Sequence, residues 1–196
     1  PVPIDLPAVE PAQSGGRENA VSVAFLGSAR VEKGFCELEG LVRALPREVA
    51  GKHIFSQVQT TRDSPDPRIR LATERLQTLA AVLPAGTLEL LESPMSMTEY
   101  YRWVAQSGII VLPYTSRKYN ASTSGIFVEA VCFGVPVICP SESWMEDVVY
   151  EAERCYGLRI GEVVQTVEAI PAAVVRIVSD IDRYGFDVRK FARLWH

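Results

Sequence analysis

From Val21 onward, short runs of β-branched and apolar residues alternate with longer segments whose apolar residues recur every three or four positions. This alternation constrains the fold most, because a strand, a covering helix and another strand build βαβ units around a parallel sheet. The predicted strands span 21–27, 52–59, 87–93, 108–114 and 135–141, with a weaker one at 156–160. Several are continuous apolar runs, as strands covered on both faces are. The pattern predicts an α/β fold with a doubly wound parallel sheet.

Between the strands, Phe35, Leu38, Leu41, Val42 and Leu45 fall at helical spacing, as do Ile69, Ala72, Leu76, Leu79 and Leu83. The first turn, 27–34, is expected to open directly into a helix. Ser96-Met-Thr-Glu99 and Ser143-Trp-Met-Glu146 match the capping box, in which hydroxyl and carboxylate each take a backbone N–H. Met97, Tyr100, Tyr101 and Val104 then line one helix face, read here as core packing, while Trp103 falls off the stripe. Residues 166–182 predict a further helix and 188–196 a last one. The opening twenty residues carry four prolines in the first eleven positions and a Ser-Gly-Gly, which reads as a linker. The expected organisation is a proline-rich linker at 1–20 and one domain at 21–196.

Charge narrows the partners. The 20 Lys and Arg residues are scattered against 24 Asp and Glu, and the longest basic run is Arg117-Lys118, so neither a nucleic-acid footprint nor a polybasic anchor is present. The most apolar stretch, 126–140, is shorter than the ~20 residues a membrane span needs and contains Glu129, Gly134 and Pro136, so no transmembrane segment is expected. Cys36, Cys132, Cys139 and Cys155 lack C-x-x-C spacing and read as free, core-placed thiols of a reducing, cytoplasmic setting. His53 and His196 stand apart, and neither a metal nor a cofactor is expected. The chain opens at Pro1 without methionine or signal peptide, which reads as a cut within a longer protein.

In an open parallel sheet, ligands sit beyond the carboxyl ends of the strands, so the residues just after each strand are the ones to search. After the first strand comes Gly27-Ser28-Ala-Arg30-Val-Glu-Lys33-Gly34. Backbone N–H groups at a helix start beside Arg30 and Lys33 would form a phosphate-binding corner, the other reading being a solvated turn. Neither G-x-G-x-x-G nor G-x-x-x-x-G-K-[ST] is present. The loop after the fourth strand delivers Ser122, Thr123, Ser124 and Gly125 to another helix start, a second anion site. Glu129 lies one turn inside that otherwise apolar helix, where a carboxylate needs a partner. It suits two vicinal hydroxyls such as those of a ribose, or else a structural Arg.

Together Gly27 to Gly34, Tyr100 to Pro113 and the segment Ser124-Gly125-Ile-Phe-Val-Glu129-Ala130-Val-Cys-Phe-Gly134-Val-Pro136-Val-Ile138 carry a family likeness. They resemble the carboxyl-terminal nucleotide-sugar-binding domain of GT-B glycosyltransferases, in the large family 4-like group of retaining enzymes. The resemblance covers most of 21–147, and E-A-x-x-x-G-x-P-V-I is its most specific part. It implies the Rossmann-like carboxyl-terminal half of a hexosyltransferase-type enzyme, acting on a UDP- or GDP-linked sugar or another nucleoside-diphosphate sugar. An amino-terminal acceptor domain of the same protein would complete it, and any membrane attachment would lie in that half. Lys33 would meet the donor diphosphate with Arg30, Ser124 and Gly125; Glu129 would hold the ribose hydroxyls; Ser93, Pro94 and Met95 would border the nucleobase. Ser28, Ser122 and Thr123 are further candidates, no catalytic residue is assigned, and no metal is demanded. The chain departs from the family at Ser28, where Arg is usual, and at Ala121, the first position of E-x7-E. A non-catalytic nucleotide-binding or regulatory module and a sugar-nucleotide epimerase are the alternatives.

Overall fold

The first apolar run forms strand β1 (Ala20–Phe25), every residue of which after Ala20 is buried. The structure is a computed structural model that describes residues 19–61, 63–115 and 122–195. Residues 1–18, Arg117-Lys118, Ala121 and His196 lie outside these, as does the side chain of Ser93. After β1 come α1 (Leu38–Ala44), β2 (Glu48–Val49), β3 (Lys52–Thr61), α2 (Pro67–Val82), β4 (Leu88–Ser93), α3 (Met97–Gln106) and β5 (Ile109–Val111). The remainder is α4 (Gly125–Cys132), β6 (Val137–Pro140), α5 (Trp144–Tyr156), β7 (Gly161–Val164), α6 (Ile170–Ser179) and α7 (Ile181–Leu194).

The sheet runs β4-β3-β1-β5-β6-β7, all parallel, with the short β2 antiparallel to the start of β3. Counting only the parallel strands in chain order, this is the 3-2-1-4-5-6 arrangement of a doubly wound sheet, whose direction reverses between β1 and β5. Successive side chains take opposite faces. Val23, Phe25, Ile109 and Val111 join α1, α2 and α6 in one core, while Ala24, Leu26, Ile110 and Leu112 join α3, α4, α5 and α7 in the other. Two covered faces explain the unbroken apolar runs.

Burial also decides the short α4. Its β-branched residues cost roughly 0.5 kcal/mol each in helix propensity, whereas burying Ile126, Phe127 and Val131, each at most 7% exposed, contributes roughly 1.5–3 kcal/mol apiece. Packing outweighs propensity, and Ser124 caps the helix by accepting the Phe127 N–H.

Several boundaries shift from expectation. The weak strand at 156–160 is not formed: Gly157, at φ 66°, ends α5 in the left-handed region, and the strand is β7, Gly161–Val164. Leu158 and Ile160 are still buried. The helix expected over 166–182 divides into a 3-10 turn at Val167–Ala169 and α6, and the last helix starts at Ile181 rather than 188. The break is Asp180, non-helical at φ -135° with its carboxylate ion-paired to Arg159. Beyond Val111, the Pro113 nitrogen has no hydrogen to give a ladder, so β5 stops short of 114. The capping box at Ser96 forms completely, but at 143 only half does: Ser143 accepts from the Glu146 N–H while the Glu146 carboxylate takes the N–H of Glu142 instead.

Met97 is exposed, so the α3 stripe buries Val104 but not its first residue; Trp103 packs against the second core. All four cysteines are free, yet only Cys139 is fully buried, and Cys155 is exposed.

Candidate functional site

The reversal between β1 and β5 opens a crevice at the carboxyl ends of these strands. Gly27, Ser28 and Lys33 line it from the turn after β1, Gln59 from β3, and Pro113 and Tyr114 from the residues after β5, around a cavity of about 20 Å³. Gly27 is required here twice over. Its φ is 101°, and a Cβ would stand 2.3 Å from Ile126 Cδ1 and 3.5 Å from Lys33 Nζ. The turn after β1 and the start of α4 are therefore in contact, bringing together the two anion sites that the sequence predicts separately.

The turn itself differs from the expected helix start. Two 3-10 turns, Val31–Lys33 and Phe35–Glu37, precede the seven-residue α1, with Gly34 in the left-handed region between them. A Cβ on Gly34 would meet the Pro113 carbonyl oxygen at 1.9 Å, so the turn is pressed onto the residues after β5. The Gly27 N–H donates to Gln59 Oε1 at 2.6 Å, and the amides of Lys33, Gly34 and Phe35 donate to Arg30 and Val31 carbonyls. These backbone donors are committed, so the corner attracts anions chiefly through side-chain charge.

Two cations supply it. Arg30 is exposed, its nearest carboxylate being Glu32 at 3.9 Å. Lys33 is half-buried, its ammonium 5.9 Å from the Tyr114 ring centroid, and among the described residues it forms no ion pair within 4 Å. Burial and then the neighbouring Arg30 push its pKa below the ordinary lysine value, against the opposing pull of Glu32 and Glu129.

At α4, Ser124 is buried and its hydroxyl is shared between the cap and a 3.0 Å hydrogen bond with the Tyr114 hydroxyl. Gly125, the first residue of α4, is exposed; Ser122 and Thr123 precede it. Among the described residues Glu129 pairs with no arginine. Its Oε2 accepts a 2.6 Å hydrogen bond from Tyr100 on α3, and a Cβ at Gly125 would lie 3.9 Å from its Oε1. Burial first, and then the Glu129 carboxylate, drive the Tyr100 pKa far up, so the phenol keeps its proton. At the end of β4, Met95 packs against the core that contains Leu26, Ile126 and Tyr100's ring, and Pro94 is exposed.

A larger groove of about 830 Å³ lies beside this corner over β5, β6 and β7, lined among others by Thr115, Ser141, Glu142, Glu146, Gln165 and Thr166. Its described lining holds two carboxylates and no cation, the wrong charge for a diphosphate. The two clefts thus differ in charge, with Lys33 lining the small one and carboxylates the larger. The Asp-x-Asp at Asp180 and Asp182, passed over in the sequence, lies at the α6–α7 break, with Asp180 held by Arg159. Among the described residues no three His, Cys, Asp or Glu side chains gather, and no helix is long and apolar enough to cross a membrane.

The structure thus joins Arg30, Lys33, Ser124, Gly125 and Glu129 around one crevice. It adds Gln59, Tyr100 and Tyr114, which the sequence reading misses. A glutamine at the end of a buried β-branched strand was a visible signal; Tyr100 was read as packing and Tyr114 as the end of a strand.

No family model matches the sequence, and no curated protein does. Solved structures match over most of its length. WaaG, a glycosyltransferase involved in lipopolysaccharide biosynthesis, has a TM-score of 0.62 at 15% identity, over 90% of this chain and 43% of WaaG. Sucrose-phosphate synthase from Thermosynechococcus elongatus gives 0.64 at 18%, over 89% of this chain and 41% of the synthase. The carboxyl-terminal domain of a glycosyl transferase group 1 family protein, LpcC from Francisella tularensis, gives 0.65 at 14%, over 89% of this chain and 85% of that domain. The chain spans less than half of the two whole enzymes but nearly all of the isolated domain. At these identities the likeness concerns architecture. In fold, this chain is a Rossmann-like α/β domain similar to the carboxyl-terminal domains of GT-B glycosyltransferases.

Proposed function

We propose that the chain is the donor-binding domain of a glycosyltransferase, taking a nucleoside-diphosphate sugar whose sugar passes to an acceptor held by an amino-terminal domain. The observation that carries this reading is the meeting, at the point where the sheet reverses, of a half-buried lysine that forms no ion pair among the described residues and a carboxylate on α4. Lys33 and Arg30 face the diphosphate together with the amides at Gly125, and Glu129 takes ribose hydroxyls. Pro94 and Met95, at the end of β4, border the base, with Ser93 between them and the sheet. As the glycosidic bond breaks, negative charge grows on the leaving diphosphate, and fixed cations and a helix terminus stabilise it where it develops.

Calorimetric titration of the chain with UDP, GDP and ADP tests the reading. Saturable binding of at least one is expected, weakened by Glu129→Ala. Silence from all three at millimolar concentration would overturn it.

A further inference from the structure

The α3 stripe reads in sequence as core, and its residue Tyr100 is three-dimensionally something else. Its ring packs against the second core, yet its hydroxyl reaches across to α4 and donates to Glu129 Oε2 at 2.6 Å. Among the described residues no other side-chain hydrogen bond reaches that carboxylate, so one oxygen is engaged and the other, Oε1, is left toward Gly125. Gly125 has no side chain to cover that approach. The tyrosine oxygen, having given its one proton to Glu129, still has lone pairs to accept from a ligand. Because burial and the adjacent carboxylate keep the phenol protonated, this division of donors and acceptors holds across the working pH range.

We propose that Tyr100 and Glu129 act as one diol-reading unit, with Oε1 accepting one ribose hydroxyl and the Tyr100 oxygen accepting the other. This rests on the nucleotide reading above and makes Tyr100 a specificity-determining residue for ribonucleotides. The bond to Tyr100 also fixes the carboxylate in one orientation, so part of the ordering is complete before the ligand arrives.

The test compares UDP, GDP and ADP with their 2′-deoxy and 3′-deoxy counterparts by calorimetry, on the chain itself and on Tyr100→Phe. The ribonucleotide is expected to bind ~10-fold or more tightly than either deoxy form, as for a hydrogen bond to a charged acceptor. In Tyr100→Phe the ratio against one of the two deoxy forms, the one lacking the hydroxyl that Tyr100 takes, should fall toward one through loss of ribonucleotide affinity, while a preference over the other form is kept. If Tyr100 is only packing, the phenylalanine preserves both ratios, and that result overturns the proposal. Tyr100→Leu provides the same comparison should the phenylalanine variant fail to fold. Binding without any ribose preference in the unaltered chain sinks the diol unit alone, whereas absence of binding by every ribonucleotide removes the donor-site reading and this one with it.

Discussion

Two polar clusters of this domain treat charge in opposite ways. Along β7, α6 and α7, Glu162 accepts from both Arg176 and Tyr184, Asp180 pairs with Arg159, and the fully buried Asp187 accepts from the Arg159 N–H and from Arg183. Each of these carboxylates meets a guanidinium or a backbone donor, and the cluster ties the last two helices to the edge of the sheet. At the crevice between β1 and β5, Lys33 is half-buried and forms no ion pair among the described residues, Arg30 is exposed, and Glu129 is met by a neutral phenol. Paired charges hold structure together, while under the proposed function the charges at the crevice are kept for a ligand. The two regions should therefore respond to mutation in different currencies, one in stability and the other in affinity.

The sharpest break of that contrast is Asp187→Ala. It removes a buried acceptor from the Arg159 amide and from Arg183, which is itself about half exposed, so the expected loss sits at the low end for a buried pair. About 3 kcal/mol is predicted, lowering Tm by roughly 6–12 °C for a domain of this size. Nucleotide affinity should stay constant in calorimetry at a temperature where the variant is folded. A variant that melted normally and bound poorly would reverse the assignment of the two regions.

Lys33→Ala should do the converse, costing ~10- to 100-fold in diphosphate affinity with little change in Tm. A pH series sharpens it. The lysine of the free protein holds its proton less tightly than an ordinary lysine, and a bound diphosphate restores that hold, so binding takes up protons. Affinity is then full at neutral pH and falls as pH rises through a range below the ordinary 10.5. Lys33→Arg should flatten this fall, because the guanidinium keeps its charge. Titration across alkaline pH with each variant reads the difference.

The smallest effect is expected at Ser124, which belongs to both categories. Ser124→Ala removes the cap of α4 and the hydrogen bond with Tyr114, lowering stability by about 1 kcal/mol in a urea titration. A modest loss of nucleotide affinity should accompany it, since the first amides of α4 depend on the cap for their direction.

Much of this architecture was legible along the chain, and the places where it was not have physical causes. Val23, Phe25, Ile109 and Val111 read as strand because residues covered on both faces leave no polar alternation to interpret. The strand at 156–160 was misplaced because Leu158 and Ile160 are buried just ahead of β7, and burial outside the strand ladder carries the same apolar signature. The division at Asp180 depended on Arg159, twenty-one positions away in the chain, which no local pattern includes. Lys33 and Glu129 stood out as candidates because a lysine just after a strand and a carboxylate in an apolar helix are each anomalous where they stand. Tyr100 did not, since an aromatic at helical spacing looks the same whether its hydroxyl meets solvent or a carboxylate.

The order of strands and helices, the covering of both sheet faces and the positions of the two anion-binding turns were set by residue pattern, because burial and local conformation depend on near neighbours in the chain. Which charges would be paired was decided only by the tertiary structure. Lys33 and Glu129 lie ninety-six positions apart, and only the reversal of the sheet between β1 and β5 places them on one crevice. Folding also brings the Tyr100 hydroxyl, twenty-nine positions away, against Glu129, a contact between two helices that no local pattern includes.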